Sequence, residues 1–190
     1  MLLGKLKTIL SNKSANYPID FQNIITNLYS TSEPNEDSIK FLWDVYCYSQ
    51  KAHKGQVRQS GKPYFTHCSS VGVTLSQWKM DLNTIAAGLL HDVIEDTDVT
   101  REEMIEKFGD EVTELVDGVS KLSGIKFSSR MEKQAENFMK MFLSVAKDLR
   151  VIIIKFADRL HNMNTIKHLT LIKQRRIAIE TRDVFAPLAH

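Results

Sequence analysis

Eight consecutive residues, Leu89-Leu90-His91-Asp92-Val93-Ile94-Glu95-Asp96, set four acid, base or metal-binding side chains into an apolar helical pattern. Ala86, Ala87, Leu89, Leu90, Val93 and Ile94 recur at helical spacing, which predicts a buried helix. Residues four apart share a helix face, so His91 is expected above Glu95 and Asp92 above Asp96. Ionisable groups at the end of a buried helix carry a desolvation cost unless they are paired or bind a metal. A metal ion is the economical explanation, and distant parts of the chain then have to supply its remaining ligands.

At 190 residues the chain has the length of one domain with a sizeable core. Hydrophobic residues make up 43% and charged residues 25%, a globular balance. A net charge of +2 gives no case for direct nucleic-acid binding or for an acidic membrane surface. Basic residues near a pocket remain compatible with a phosphorylated small molecule. Cys47 and Cys68 make no disulfide framework, and a reducing cytoplasm is the simpler reading. The N-terminus lacks the apolar core and cleavage site of a signal peptide, and no run of about twenty apolar residues occurs.

Periodicity predicts helix nearly throughout. Leu2, Leu3, Leu6, Ile9 and Leu10 form one amphipathic pattern, and Phe21, Ile24, Ile25 and Leu28 form a second behind Pro18 and Asp20. A third runs over 37–53 with Ile39, Leu42, Trp43, Tyr46 and Cys47 inward. Residues 54–63 read as a loop punctuated by Gly55, Gly61 and Pro63 and carrying Lys54, Arg58 and Lys62. A helix over 64–78 holds His67 in its first turn, and Asp81 is the expected N-cap of the helix that ends in His91-Asp92. Thr100 and Glu103 make a capping box, Gly109 is the stop, and Asp110 opens a helix with Val112, Leu115, Val116 and Val119 inward. Residues 121–129 read as a polar, glycine-containing mobile loop. A long helix with a stripe of Met131, Ala135, Phe138, Met141, Phe142 and Val145 follows, more readily core than a cofactor box. The apolar run 151–157 is assigned to helix because no strand pairs with it, and a last helix spans 171–185. The expectation is a single all-α domain.

His91 and Asp92 are adjacent, so one metal reaches both only at a helix end or through favourable rotamers. His67 and Asp158, each at or near the end of an apolar segment, are the best distant ligands. Two imidazoles and two carboxylates suit Mn, Fe or Zn and suit Ca poorly, and the oxygen share tilts the set toward Mn2+. Such a site supports hydrolysis, with Glu95 and Asp96 one turn away as general base and general acid. Asp158, Asn162 and Thr165 line one helical face, an order that reads as metal, then ribose, then base. Spacing alone leaves the plain alternatives open: a His-Asp pair without a metal, and a polar helix face without a ligand.

The segments His53-Lys54-Gly55-Gln56, Arg58-Gln59-Ser60-Gly61-Lys62-Pro63-Tyr64, His67 and His91-Asp92-Val93-Ile94-Glu95-Asp96-Thr97 together resemble the hydrolase domain of the Rel/Spo alarmone enzymes, in the HD superfamily of metal-dependent phosphohydrolases. Phe108-Gly109, Val116-Asp117-Gly118-Val119-Ser120-Lys121-Leu122 and Lys155-Phe156-Ala157-Asp158-Arg159-Leu160-His161-Asn162-Met163 extend the resemblance over nearly the whole chain. It implies hydrolysis of the 3′-pyrophosphate of ppGpp or pppGpp to GDP or GTP and pyrophosphate in the stringent response. It also implies Mn2+ on His67, His91, Asp92 and Asp158, and water activation by Glu95 and Asp96. Arg58, Gln59 and Ser60 would lie against guanine, and Asn162 and Thr165 against the nucleoside. Arg175, a cation further along the same side, is a candidate for the 5′-diphosphate.

Three residues depart from the family pattern: Gln59 replaces a frequent lysine, Asn164 a common arginine, and Cys68 a common proline, the last without a physical account. None removes a proposed ligand or the carboxylate pair, so an active hydrolase is expected. Phe185-Ala186-Pro187-Leu188-Ala189-His190 is similar to the opening of the segment that leads into the synthetase domain of long members. The expected partners are therefore the nucleotide and the synthetase and regulatory domains of one longer chain, with the 121–129 loop as the place where they act. Two other readings stand beside this one: a phosphohydrolase for another nucleotide such as NADPH, and a non-catalytic regulatory domain.

Overall fold

A computed structural model describes residues 17–30, 33, 35–123 and 147–189. Among these residues the order is α1 (Ile19–Leu28), α2 (Glu36–Ala52), α3 (Phe65–Gln77), α4 (Leu82–Leu90), α5 (Val93–Asp96), α6 (Arg101–Ser123), α7 (Arg150–Asn164), a 3-10 turn (Ile166–His168), α8 (Leu171–Glu180), a π turn (Thr181–Phe185) and α9 (Ala186–Ala189). The one pairing of extended backbone among them is an isolated antiparallel bridge between Val57 and Pro63, so the fold is all-α as expected. The expected helices over residues 2–10 and 131–145 lie outside the described residues.

α3 is the central element, packed against α1, α4 and α7, while α4 also meets α2, α6 and α7. Its inward face supplies Phe65, Cys68, Val71 and Leu75, and α4 buries Ile85 through Leu90 entirely. The two helices approach closely because Gly88 has no side chain: a Cβ there would lie 2.2 Å from Leu75 Cδ1. Phe21, Ile24 and Ile25 of α1 and Ile39, Leu42, Val45 and Tyr46 of α2 close the core on one side. Val112, Leu115, Val116 and Val119 of α6 and Val151, Ile154 and Ala157 of α7 close it on the other.

Most start and stop signals operate as read. Asp81 caps α4 by accepting from Thr84 N at 3.0 Å. Thr100 Oγ1 accepts from Glu103 N at 3.2 Å, but the reciprocal half of the box is not made that way: Glu103 Oε1 accepts from Tyr48 Oη at 2.7 Å. Gly109 sits at φ 83° and ψ 168°, a left-handed kink that divides α6 where the stop was expected.

Four expectations are corrected. The helix that begins at Leu82 stops close to the expected end at His91-Asp92, and it does not carry the register that would set His91 above Glu95 and Asp92 above Asp96. It ends at Leu90, and Asp92 at φ −100° and ψ −1° separates it from α5. Trp43 and Cys47 are half-buried, because Trp43 packs over the α1–α2 seam against Tyr17 and Phe21 rather than into the centre. Residues 121–123 continue α6 rather than opening a loop. The last helix gives way to the π turn at Thr181, where Phe185 packs on Phe156 and under the Arg159 guanidinium.

Candidate metal centre

Four elements deliver the expected donors. α3 carries His67 in its first turn, the C-cap of α4 carries His91, the break after it carries Asp92, and α7 carries Asp158. The break is what brings adjacent residues to one point, the helix-end condition set by their adjacency. Asp92 Oδ2 lies 3.0 Å from His91 Nε2 and 3.6 Å from His67 Nε2. Asp158 Oδ1 lies 3.2 Å from His67 Nε2 and 4.0 Å from His91 Nε2. His67, His91 and Asp158 each offer a donor atom within 4.8 Å of the others.

The electrostatics fit a divalent cation. His91 is fully buried, its Nδ1 lies 2.9 Å from the Gly88 carbonyl oxygen, and its Nε2 has no hydrogen-bond partner. A protonated Nδ1 leaves the Nε2 lone pair facing the carboxylates, the arrangement a metal ligand needs. Burial pushes both carboxyls up, yet Asp92 stays well below the usual carboxylate range because of His91, and Asp158 because of Lys155 and His67. Burial depresses His67, which keeps that imidazole neutral. Burial also acts against the His91 imidazolium, but Asp92 outweighs it and holds that group at about 8, so a metal would take the Nε2 lone pair by displacing the proton that Asp92 favours there. Two carboxylates, Asp158 buried and Asp92 half-buried, thus converge on two imidazoles, with Lys155 Nζ 2.8 Å from Asp158 Oδ2 as partial compensation. Ligation by a cation satisfies the orphaned Nε2 and the paired carboxylates together.

Glu95 and Asp96 are exposed on α5, the turn that follows Asp92. They line an open cleft of about 540 Å³ with Ala52, Lys54, Gln56, Thr97 and Asp98. The Asp96 carbonyl accepts from Gln56 Nε2 at 2.6 Å, which ties α5 to the loop before α3. Arg58 reaches across to α7 and donates to Asn162 Oδ1 at 2.8 Å, and Asn162 Nδ2 donates to Asp158 Oδ1 at 2.5 Å. Gln59 and Ser60 form the tip of the same loop, where Gly61 N donates to the Arg58 carbonyl at 2.8 Å. Thr165 follows α7, and its hydroxyl donates back to the His161 carbonyl at 2.9 Å rather than outward along the Asp158–Asn162 face. Arg175 is exposed on α8, and among the described residues no hydrogen bond or ion pair joins it to the cluster.

Two neighbours of the cluster were not singled out from spacing. His161 Nδ1 lies 2.8 Å from His67 Nδ1, with ring centroids 4.8 Å apart. Tyr64 Oη lies 2.7 Å from Asp92 Oδ2 and 2.9 Å from Asp96 Oδ2. Each stands three residues from a proposed ligand, His161 after Asp158 and Tyr64 before His67. That one-turn spacing was the available signal.

An all-helical domain with a buried His/Asp cluster is the form of an HD domain, and residues 46–190 match the family described as HD domain. The chain belongs to that family. Over 155 residues it is 52% identical to the bifunctional (p)ppGpp synthase/hydrolase SpoT of Escherichia coli K12, covering 82% of this chain and 22% of that one. The guanosine-3′,5′-bis(diphosphate) 3′-pyrophosphohydrolase of Vibrio cholerae matches at the same identity and coverage. The GTP pyrophosphokinase of Myxococcus xanthus is 52% identical over 161 residues, 83% of this chain and 21% of that one. The chain therefore spans about a fifth of the length of these relatives, all within the part that resembles the Rel/Spo hydrolase domain. A solved structure described as a metazoan ortholog of SpoT that hydrolyzes ppGpp superposes with a TM-score of 0.64 at 27% identity, covering 81% of this chain and 86% of that one.

Proposed function

We propose that this chain is a divalent-metal-dependent 3′-pyrophosphohydrolase that converts ppGpp and pppGpp to GDP and GTP with release of pyrophosphate. The observation that carries the reading is the convergence of His67, His91, Asp92 and Asp158, with the Asp96 carboxylate tied to Asp92 through the Tyr64 hydroxyl. The reading takes its substrate from relatives and a structural neighbour whose names specify this nucleotide.

The four residues would hold the ion, and their two nitrogens and two carboxylates favour Mn2+ among the divalent metals. When bound, such an ion supplies Lewis acidity toward a phosphoryl oxygen and a lowered water pKa at the 3′-diphosphate. Glu95 takes a proton from the attacking water, and Asp96 orients that water or returns a proton to the leaving group. Arg58, Gln59 and Ser60 form the wall against guanine. Asn162 and Thr165 meet the nucleoside, and Arg175 is assigned to the 5′-diphosphate. Arg58 donates to Asn162, so on this reading substrate has to exchange with or insert beside the bond between two of its proposed contacts. The setting is cytoplasmic, and the partner domains are the synthetase and regulatory parts of a longer chain of the kind its bifunctional relative has.

Incubating the protein with ppGpp, pppGpp and NADPH, with and without Mn2+, and following pyrophosphate and phosphate tests the reading. Mn2+-dependent pyrophosphate from ppGpp or pppGpp supports it. Phosphate from NADPH alone moves the substrate assignment, and absence of any turnover leaves a nucleotide-binding regulatory domain.

A further inference from the structure

Tyr64 stands at the meeting point of the loop and the two carboxylate groups whose proposed roles differ. Its hydroxyl has one proton and two acceptors, Asp92 Oδ2 at 2.7 Å and Asp96 Oδ2 at 2.9 Å. It can donate to one of them at a time, so the bond to either carboxylate is made at the expense of the other. The ring is held independently of that proton. His53 stacks on it with centroids 5.0 Å apart and planes 28° apart, and the Arg58 guanidinium lies 5.7 Å from its centroid. Burial, with Asp92 beside it, raises the phenol well above its ordinary value, which keeps it a donor. A rigidly seated donor between a metal-binding acid and a cleft acid has a defined mechanical effect. It selects which lone pairs of Asp92 remain for an ion, and it fixes the Asp96 carboxylate relative to that ion.

We propose that Tyr64 is a positioning residue that couples Asp92 to Asp96, so that metal seating and cleft geometry are set by one hydroxyl. The inference rests on the hydrolase reading for its effect on turnover, but not for its effect on metal affinity.

Tyr64→Phe keeps the ring, the His53 stack and the Arg58 contact and removes only the hydroxyl. In the full chain, Mn2+ titration followed by electron paramagnetic resonance should show affinity weakened about tenfold, the size expected for a lost outer partner of a ligand. At saturating Mn2+, kcat for ppGpp should fall by about tenfold to a hundredfold with KM little changed. On an Asp96→Ala background the same substitution should cost kcat less than about twofold, because the coupled partner is already gone. A role confined to packing predicts the opposite: Tyr64→Phe additive with Asp96→Ala. Wild-type affinity and wild-type kcat in Tyr64→Phe, or full additivity with Asp96→Ala, overturn the proposal. If the unmodified protein binds Mn2+ but turns over no ppGpp, the hydrolase reading fails on its own, and the affinity shift alone decides the role of Tyr64.

Discussion

His91 concentrates the chemistry of this protein in one side chain: fully buried, anchored through Nδ1, and with Nε2 unpartnered beside two carboxylates. His91→Ala is expected to abolish metal uptake and turnover together, read by metal analysis of the purified protein and by pyrophosphate release. Glu95→Ala should keep its metal and lose roughly 10² to 10⁴ in kcat, because only proton handling is removed. If Glu95→Ala turns over at the wild-type rate, the general-base assignment moves to Asp96 or elsewhere. His161 acts through His67. Burial and the neighbouring His67 lower it to about 4, so it is neutral and able to accept from His67 Nδ1. His161→Leu is expected to weaken Mn2+ binding about tenfold, and His161→Asn, which restores an acceptor, to recover most of that loss. Equal affinities for the two variants would show that packing, and not the hydrogen bond, is what His161 contributes. At this scale the four side chains that converge were legible in advance as candidates, His67 and Asp158 because each stands at or near the end of an apolar segment. Tyr64 and His161 were less so, since a phenol and a third imidazole acquire meaning only when α3, α5 and α7 are seen to meet.

Among the elements, α3 and α4 set the distance between His67 and His91. Gly88→Ala is the direct probe of that spacing. Helix propensity favours the change by about 1 kcal/mol. Against this, the new Cβ meets Leu75 Cδ1 at 2.2 Å, and Leu75 is fully buried, so overpacking of about 1–3 kcal/mol opposes it. The expected sum is a loss of about 1 kcal/mol in denaturant unfolding, accompanied by weaker metal binding as the helices separate. A more stable variant with unchanged affinity would contradict that account. Asp81→Ala removes the cap of α4 and should cost about 1 kcal/mol while leaving metal stoichiometry intact, because the cap lies at the far end of the helix from His91. The caps at Asp81 and Thr100 and the stop at Gly109 were readable because they depend on local chemistry. The end of α4 at His91-Asp92 was readable too, but the change of register before α5 was not, because the apolar pattern continues through Val93 and Ile94. The helix ends there as the ligands turn inward, a demand of the tertiary site rather than of local propensity.

At the level of the whole molecule, the ion and the fold share one free energy. The donors come from positions 67 to 158 and are brought together only in the folded chain, so an ion that binds them stabilises that state. At a hundred times its dissociation constant, a ligand contributes about 2.7 kcal/mol. For a chain of this size that corresponds to a rise in Tm of roughly 5–10 °C. Mn2+ should produce that rise in the native protein, EDTA should reverse it, and His91→Ala should show neither effect. No shift in the native protein would mean that the cluster holds no ion under those conditions. The all-helical class was visible in the 3.6-residue periodicity, whereas the approach of α7 to α3 was expected only through an ion shared by His67 and Asp158, since nothing local specifies which apolar faces meet.

The measurement that bears most directly on the central claim is anomalous scattering from crystals grown with Mn2+. The account predicts one manganese peak about 2.2 Å from a donor atom of each of His67, His91, Asp92 and Asp158. A structure with Mn2+ bound elsewhere, or with Asp158 turned away from the ion that His67 and His91 share, would contradict it.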